Sequence, residues 1–380
     1  MTERPVRRAP ALLLGLAGLL APSLAAAAAS EGVLYSGSAF VDYWGLPDRT
    51  VASHAPQSFA PSASIKISKD VNDDLVFSAK ACIGCHGVEA DHVVLDYQPK
   101  AWFNLQFGRL AVPFGDFSNR VDPTSYKTAS PPLIYDMGRM AYGSRSAMNL
   151  GVLPLPYVDT GVLLYGVRWL GERIQVWYGL YGVAGLRGSN DIDWMAMRSV
   201  PYNDNNRLPA GGARLTLSYS PDPGSFFGDA SIGGSWTGGR YDRDATREYQ
   251  AWAADATLRF GKLVLRGEYA ARRTDLDPTA TYPYALVDKW FLKEGFYGEA
   301  EVPLGSYLSA VYRYEELKRS GTPLPGATPE LTSESKFVRH TGGLVVTPAQ
   351  AIFVKLSWEL WRTTDFGEFH TYHAGIGGTF

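Results

Sequence analysis

The feature that most constrains this chain is a period of two in its apolar residues, repeated segment after segment. In AIFVKLSWELW, Ile352, Val354, Leu356, Trp358 and Leu360 share one face, while Phe353, Lys355, Ser357, Glu359 and Trp361 share the other. Successive side chains of a strand point to opposite sides, so such a segment is apolar on one face and mixed on the other. The same two-faced pattern recurs in Ile174 to Leu180, Leu263 to Tyr269 and Ala310 to Glu315, whose polar faces carry Gln175; Arg266 and Glu268; and Arg313 and Glu315. Alternation alone also suits a secreted β-sandwich. The spacing of the segments separates the two.

Sixteen strands are predicted, near 33–46, 62–69, 75–82, 92–97, 102–110, 160–169, 174–183, 211–220, 226–237, 249–260, 263–271, 290–302, 307–317, 335–346, 351–361 and 368–380. Their connections alternate in length. Asp70–Asp74, Gln98–Ala101, Leu170–Arg173, Gly261–Lys262 and Thr347–Ala349 are short, whereas Ala111–Asp159, Arg187–Ala210 and Lys318–Glu334 are long and polar. Tight turns on one rim and long loops on the other, with an even strand number, predict an all-β, transmembrane up-and-down β-barrel of antiparallel strands. Closure pairs every backbone group, which lipid demands. Composition agrees: charged residues are 19% and aromatics 13%, with Tyr43, Trp44, Trp169 and Trp361 at strand ends as an interfacial girdle requires. The net charge of −2 gives no basic footprint for nucleic acid.

The first residues read as an export signal. Arg4, Arg7 and Arg8 precede a short apolar run, Ala11 to Ala21, and SLAAAAA then offers small-residue cleavage sites. The run is shorter than the ~20 residues a spanning helix needs. The expectation is a signal peptide over 1–29 and an outer-membrane barrel over 30–380 with a long third loop at 111–159. The last strand ends in Phe380, similar to the assembly signal of Gram-negative outer-membrane proteins.

At Phe103 to Gly115, FNLQFGRLAVPFG resembles the strand-and-loop motif of the phosphate-selective porin O/P group, and Ser62 to Leu75 fits the same register. The resemblance covers about the first third of the mature chain. It implies a sixteen-stranded porin whose third loop folds inward to narrow the pore. The family's phosphate-binding lysine ladder does not carry over. The expected lumen positions mix Lys66, Lys80, Arg168, Arg266 and Lys355 with Asp96, Glu268, Glu299, Glu301 and Glu359, and mixed signs do not make an anion-selective ladder.

One motif carries redox chemistry. The two cysteines of the chain read Cys82-Ile83-Gly84-Cys85-His86, a pattern that chance would place in roughly one chain in ten thousand of this composition. Two thiols at this spacing add across the vinyl groups of haem c, and the adjacent His86 supplies the proximal iron ligand. A loop disulfide explains the cysteines but leaves His86 accidental. In soluble cytochromes the motif opens a helix; here it follows one strand and precedes GVEADHVVLDY, which reads as another. Candidates for the distal ligand are Met137, Met140 and His92, with His373 farther away; Met148, Met195 and Met197 share the loops. Bland readings of these are loop packing by flexible Met side chains and ordinary lumen lining.

Two functions follow. One is an electron-transfer porin with a single covalent haem c, exchanging electrons with a periplasmic or extracellular cytochrome. The other is a passive diffusion porin for small solutes in which Cys82 and Cys85 form a disulfide. Both place the chain in outer-membrane lipid, with a homotrimer as the expected assembly, and neither assigns a catalytic residue.

Overall fold

The computed structural model describes residues 32–45, 58–84, 87–135, 141–142, 146–147, 151–188, 206–222, 224–276, 288–321, 335–364 and 367–380. The strands are β1 (Val33–Gly45), β2 (Ser58–Asn72), β3 (Leu75–Gly84), β4 (Gly87–Lys100), β5 (Phe103–Ala111), β6 (Val158–Leu170), β7 (Ile174–Val183) and β8 (Ala210–Tyr219). They continue as β9 (Phe227–Arg240), β10 (Glu248–Phe260), β11 (Leu263–Asp275), β12 (Trp290–Pro303), β13 (Leu308–Gly321), β14 (Ser335–Ala349), β15 (Ile352–Thr363) and β16 (Gly367–Thr379). Each pairs antiparallel with its neighbours in sequence, and β1 pairs with β16, so the sheet is a closed sixteen-stranded barrel. Every strand therefore spends its backbone donors and acceptors on two neighbours.

The seam between the first and last strands explains the terminal aromatic residue. Phe380 and Gly37 exchange backbone hydrogen bonds at 3.0 Å in both directions, and the Phe380 ring lies where a side chain on residue 37 would stand. Only glycine leaves room for that approach. The alternation expected from sequence holds around the wall. Leu180, Leu215, Ile232 and Leu356 stand outward, each about half exposed, while Arg214, Ser235, Arg313 and Glu359 on the opposite parity are buried inside.

Most strands run beyond the alternating stretch. The segment expected to end at Ala271 continues to Asp275, and that expected over 62–69 spans Ser58–Asn72. Alternation records only the apolar band. The ladder of hydrogen bonds continues above it, where both faces are polar. Two expectations are corrected. Trp44 and Trp361, expected in an interfacial girdle, are buried on the inner face, Trp44 stacked on His373 and Trp361 donating to Glu359. Arg168 shares its parity with outward-facing Val162, not with buried Leu163, and its guanidinium lies 5.2 Å from the Trp102 ring near the short-turn rim. It belongs to the outer girdle and not to the lumen, because the register of β6 is fixed by packing Leu163 and Tyr165 inward.

Candidate functional site: a loop clamped inside the barrel

The chain between β5 and β6 turns into the barrel. Its base is tied by the Val112 N–H donating to the Tyr157 carbonyl at 2.8 Å, and its return limb by the Val152 N–H donating to the Ile134 carbonyl at 2.7 Å. Phe117, Tyr126, Leu133, Ile134, Tyr135 and Leu153 are buried together, with Phe117 stacked on Tyr135 at 5.4 Å and edge-on to Tyr297 of β12 at 6.4 Å. These apolar side chains give the loop a core of its own inside a polar lumen.

The wall that receives it is a belt of alternating charge. Asp42 of β1 meets His373 of β16 at 3.2 Å, and His373 meets Glu359 of β15 at 3.3 Å. Glu359 faces Arg339 of β14 at 3.7 Å, and Arg339 meets Glu315 of β13 at 2.6 Å. Glu315 bridges to Arg313 at 3.1 Å, Arg313 to Glu299 of β12 at 3.4 Å, and Arg266 of β11 to Glu299 and Glu301 at 3.3 and 2.8 Å. Beyond it, Arg214 of β8 pairs with Asp255 of β10 at 2.6 Å. Charges this deep persist only when paired and fully hydrogen-bonded.

The loop completes those hydrogen bonds. The backbone N–H of Leu133 donates to Glu315 at 2.8 Å, that of Phe117 to Glu268 at 3.1 Å, that of Gly115 to Ser235 at 3.0 Å and that of Ala129 to Ser357 at 3.0 Å. The Ser130 hydroxyl donates to Glu359 and the Tyr135 hydroxyl to Glu268. Burial, reinforced by the Glu268 carboxylate, holds the Tyr135 hydroxyl well above the usual phenol range, so it stays a donor. In the other direction, Arg313 donates to Thr128 Oγ1 at 2.6 Å and to the Ser130 and Pro131 carbonyls at 3.0 and 3.2 Å, and Arg339 donates to the same Pro131 carbonyl. The Lys355 ammonium is capped by the carbonyls of Pro123, Tyr126 and Thr128. Proline has no N–H, so Pro131 offers the barrel an acceptor without a donor to satisfy.

The other arc of the lumen, on β2 to β6, is different. Lys66, on the inward parity of Ser64 and Ser68, is exposed. It stands opposite Lys80, which stands opposite His92. A bulge on β4 turns Asp91 inward to meet Lys80 at 2.8 Å, and Asp122 of the loop meets the same ammonium at 3.0 Å. Asp96 accepts from neutral donors, Tyr165 at 2.9 Å and Gln106 at 2.9 Å. Of these groups Lys66 alone is exposed, whereas Lys80, Asp91 and Asp96 are largely buried among their partners.

The redox motif lies at the tip of the β3–β4 hairpin, on the rim that carries the long connections. Cys82, Ile83 and Gly84 pair with Glu89, Val88 and Gly87, which leaves residues 85–86 as the connection; Cys85 and His86 lie outside the described residues. Cys82 is half-buried and shares the inward parity of Ser78 and Lys80, so a group bonded to its sulfur would point to the lumen. Two thiols and an imidazole suit thioether anchors and an iron ligand, although Cys82 is presented from a strand and not from a helix. His92 lies on the same inner face, its Nε2 3.2 Å from Ser78 Oγ. His373 is committed to the charge belt. Met137, Met140, Met148, Met195 and Met197 lie outside the described residues.

Sequence reading singled out Glu359 and Lys355 as lumen lining but not Ser130 and Thr128, which hold them, nor Pro131, which holds Arg313 and Arg339. A small-polar and proline cluster between buried charges is the signal that could have found them. The barrel superimposes on an anion-selective porin from Comamonas acidovorans with a TM-score of 0.56 at 13% identity, covering 92% of this chain and 99% of that one. The fold is that of a porin. The barrel is also similar to Salmonella typhi OmpF in complex with daunomycin (TM-score 0.56, 12% identity, 92% and 97% covered). The trimer form of Vibrio cholerae OmpT matches as well (TM-score 0.52, 11% identity, 92% and 99% covered). No family model and no curated protein sequence matches this chain.

Proposed function

We propose that this chain is an outer-membrane diffusion porin for small hydrophilic solutes, constricted by the loop between β5 and β6. The observation that carries the reading is the clamp: residues 112–135 sit inside the barrel, hydrogen-bonded to the inner faces of β9, β11, β13 and β15. An apolar outward band and the porin fold support the membrane placement, and a sixteen-stranded barrel is wide enough for an aqueous channel. Assembly as a homotrimer belongs to the same reading. Purified protein in planar bilayers gives discrete conductance steps, and excising residues 118–131 enlarges each step. Absence of steps, or steps unchanged by the excision, overturns it.

A second reading adds to the first and rests on the inward parity of Cys82 at the loop-side rim. In it, Cys82 and Cys85 hold a haem c by thioether bonds and His86 ligates its iron, with His92, Met137 or Met140 as the distal candidate. The haem supplies one-electron transfer, and the partner is a cytochrome outside the barrel. The chain's own contribution is to aim Cys82 at the lumen and to set Lys66 and Lys80 two and more residues below it on the same inner face. Expressed in a host competent for haem attachment, the denatured polypeptide retains peroxidase stain and a mass increased by one haem, and Cys82→Ser loses both. A colourless protein with one intramolecular disulfide leaves the plain diffusion porin.

A further inference from the structure

On the short-turn side of the clamped loop, the inner wall carries a cluster that neither the charge belt nor the loop uses. Asp96 of β4 is 7% exposed, and among the described residues its hydrogen-bond donors are all neutral. Its Oδ2 accepts from Gln98 Nε2 at 2.6 Å, from Gln106 Nε2 of β5 at 2.9 Å and from the Tyr165 hydroxyl of β6 at 2.9 Å. Two amides that share one oxygen lie side by side. Each spends an N–H on Asp96 and keeps its carbonyl oxygen as an acceptor. Gln98 is exposed and Gln106 and Tyr165 are half-buried, so these groups reach the lumen. Trp177 of β7 completes the cluster. Tyr165 pairs with Gly179, and a Cβ on residue 179 would lie 2.7 Å from the Trp177 ring. The indole therefore lies over a bare stretch of wall directly across from the tyrosine, and it too is half-buried.

We propose that this cluster binds one pyranose ring of a neutral sugar, with its C–H face on Trp177 and adjacent hydroxyls on Gln98 and Gln106. The inference rests on the diffusion-porin reading and names a solute class for it. Chemistry commits the ligand. The Asp96 charge is held by three neutral donors, with no ammonium or guanidinium among them to attract an anion. Its burial leaves little of that charge for a passing cation. What reaches the lumen is a pair of amides and a phenol beside an aromatic ring. A hydroxylated ring uses both halves of such a site. Each hydroxyl donates and accepts, which matches an amide, and the C–H face of the ring packs on the indole. Asp96 is the positioning residue, because it holds both amides and the phenol in one orientation.

The test adds maltotriose to the full-length porin in planar bilayers at fixed KCl, with polyethylene glycol of similar mass as a steric control and choline as a cationic one. Maltotriose at millimolar concentration produces discrete current closures in the wild-type protein, and polyethylene glycol produces none. Trp177→Ala raises the half-closing concentration roughly tenfold, whereas Trp177→Phe keeps it within about twofold of wild type. Gln106→Leu, which keeps the volume and removes the amide, raises it several fold. Heat-dependent migration on gels shows that each variant has formed its barrel. Wild-type steps that maltotriose leaves uninterrupted overturn the proposal alone, whereas absence of steps overturns the porin reading with it. Closures unchanged in both Trp177→Ala and Gln106→Leu, or closures by choline and not by maltotriose, also sink the sugar site.

Discussion

The two arcs of the lumen carry the same residue types and use them in opposite ways. On β11 to β16, Arg313, Glu315, Arg339 and Glu359 are sealed from water by residues 128–133 and by one another. On β2, Lys66 faces the open side exposed. A charge in the sealed arc is part of the structure, because its desolvation must be offset by neighbours. A charge as exposed as that of Lys66 is still hydrated and acts on whatever passes. Counting signs along the lumen therefore misjudges selectivity, since most of the counted charges never meet a solute.

The largest expected effect comes from breaking the sealed arc. Arg339→Met leaves Glu315 and Glu359 buried with one partner fewer and should destabilise the barrel by roughly 3–5 kcal/mol, read from urea unfolding in micelles. It should also release Pro131 and make conductance noisier. Adding Glu315→Gln to Arg339→Met should recover part of the loss. A double variant as unstable as the sum of the singles would show that the belt is not a coupled network.

A smaller and different effect is expected on the open arc. Lys66→Glu should leave stability within about 0.5 kcal/mol of wild type, yet shift the reversal potential in a KCl gradient toward cations. If it alters unfolding but not reversal potential, Lys66 is a structural charge like those of the sealed arc.

The smallest effect lies outside both, in the connection from β9 to β10. Asp242 is buried, which would raise its pKa, but the Arg247 and Thr246 N–H groups and the Thr246 hydroxyl bind it at 2.7, 2.9 and 2.8 Å and bring the pKa below the usual range. A depressed carboxyl stabilises the fold above the unfolded value of about 3.9 and loses that contribution as pH falls through the lower folded value. Asp242→Asn should therefore cost a little stability at neutral pH, and the gap to wild type should close below about pH 4.

The sequence by itself determined the barrel. Period-two alternation needs only the strand geometry of neighbouring residues to be read, and the alternation of short and long connections follows from chain order. That is why Ile174–Val183 agrees to the residue, and why the other strands err mainly at their polar ends. Which polar residues share a face was legible for the same reason; Arg168, flanked by Val167 and Trp169 at the short-turn rim, was not. What the tertiary structure alone decided is which inward charges are spent. Ser130 and Glu359 are 229 positions apart, and Pro131 and Arg339 are 208 apart. No local period links them. Only closure of the barrel brings a loop from β5 across the lumen to β13, β14 and β15, and the cost of burying a charge decides that, once there, the loop and the wall must satisfy each other.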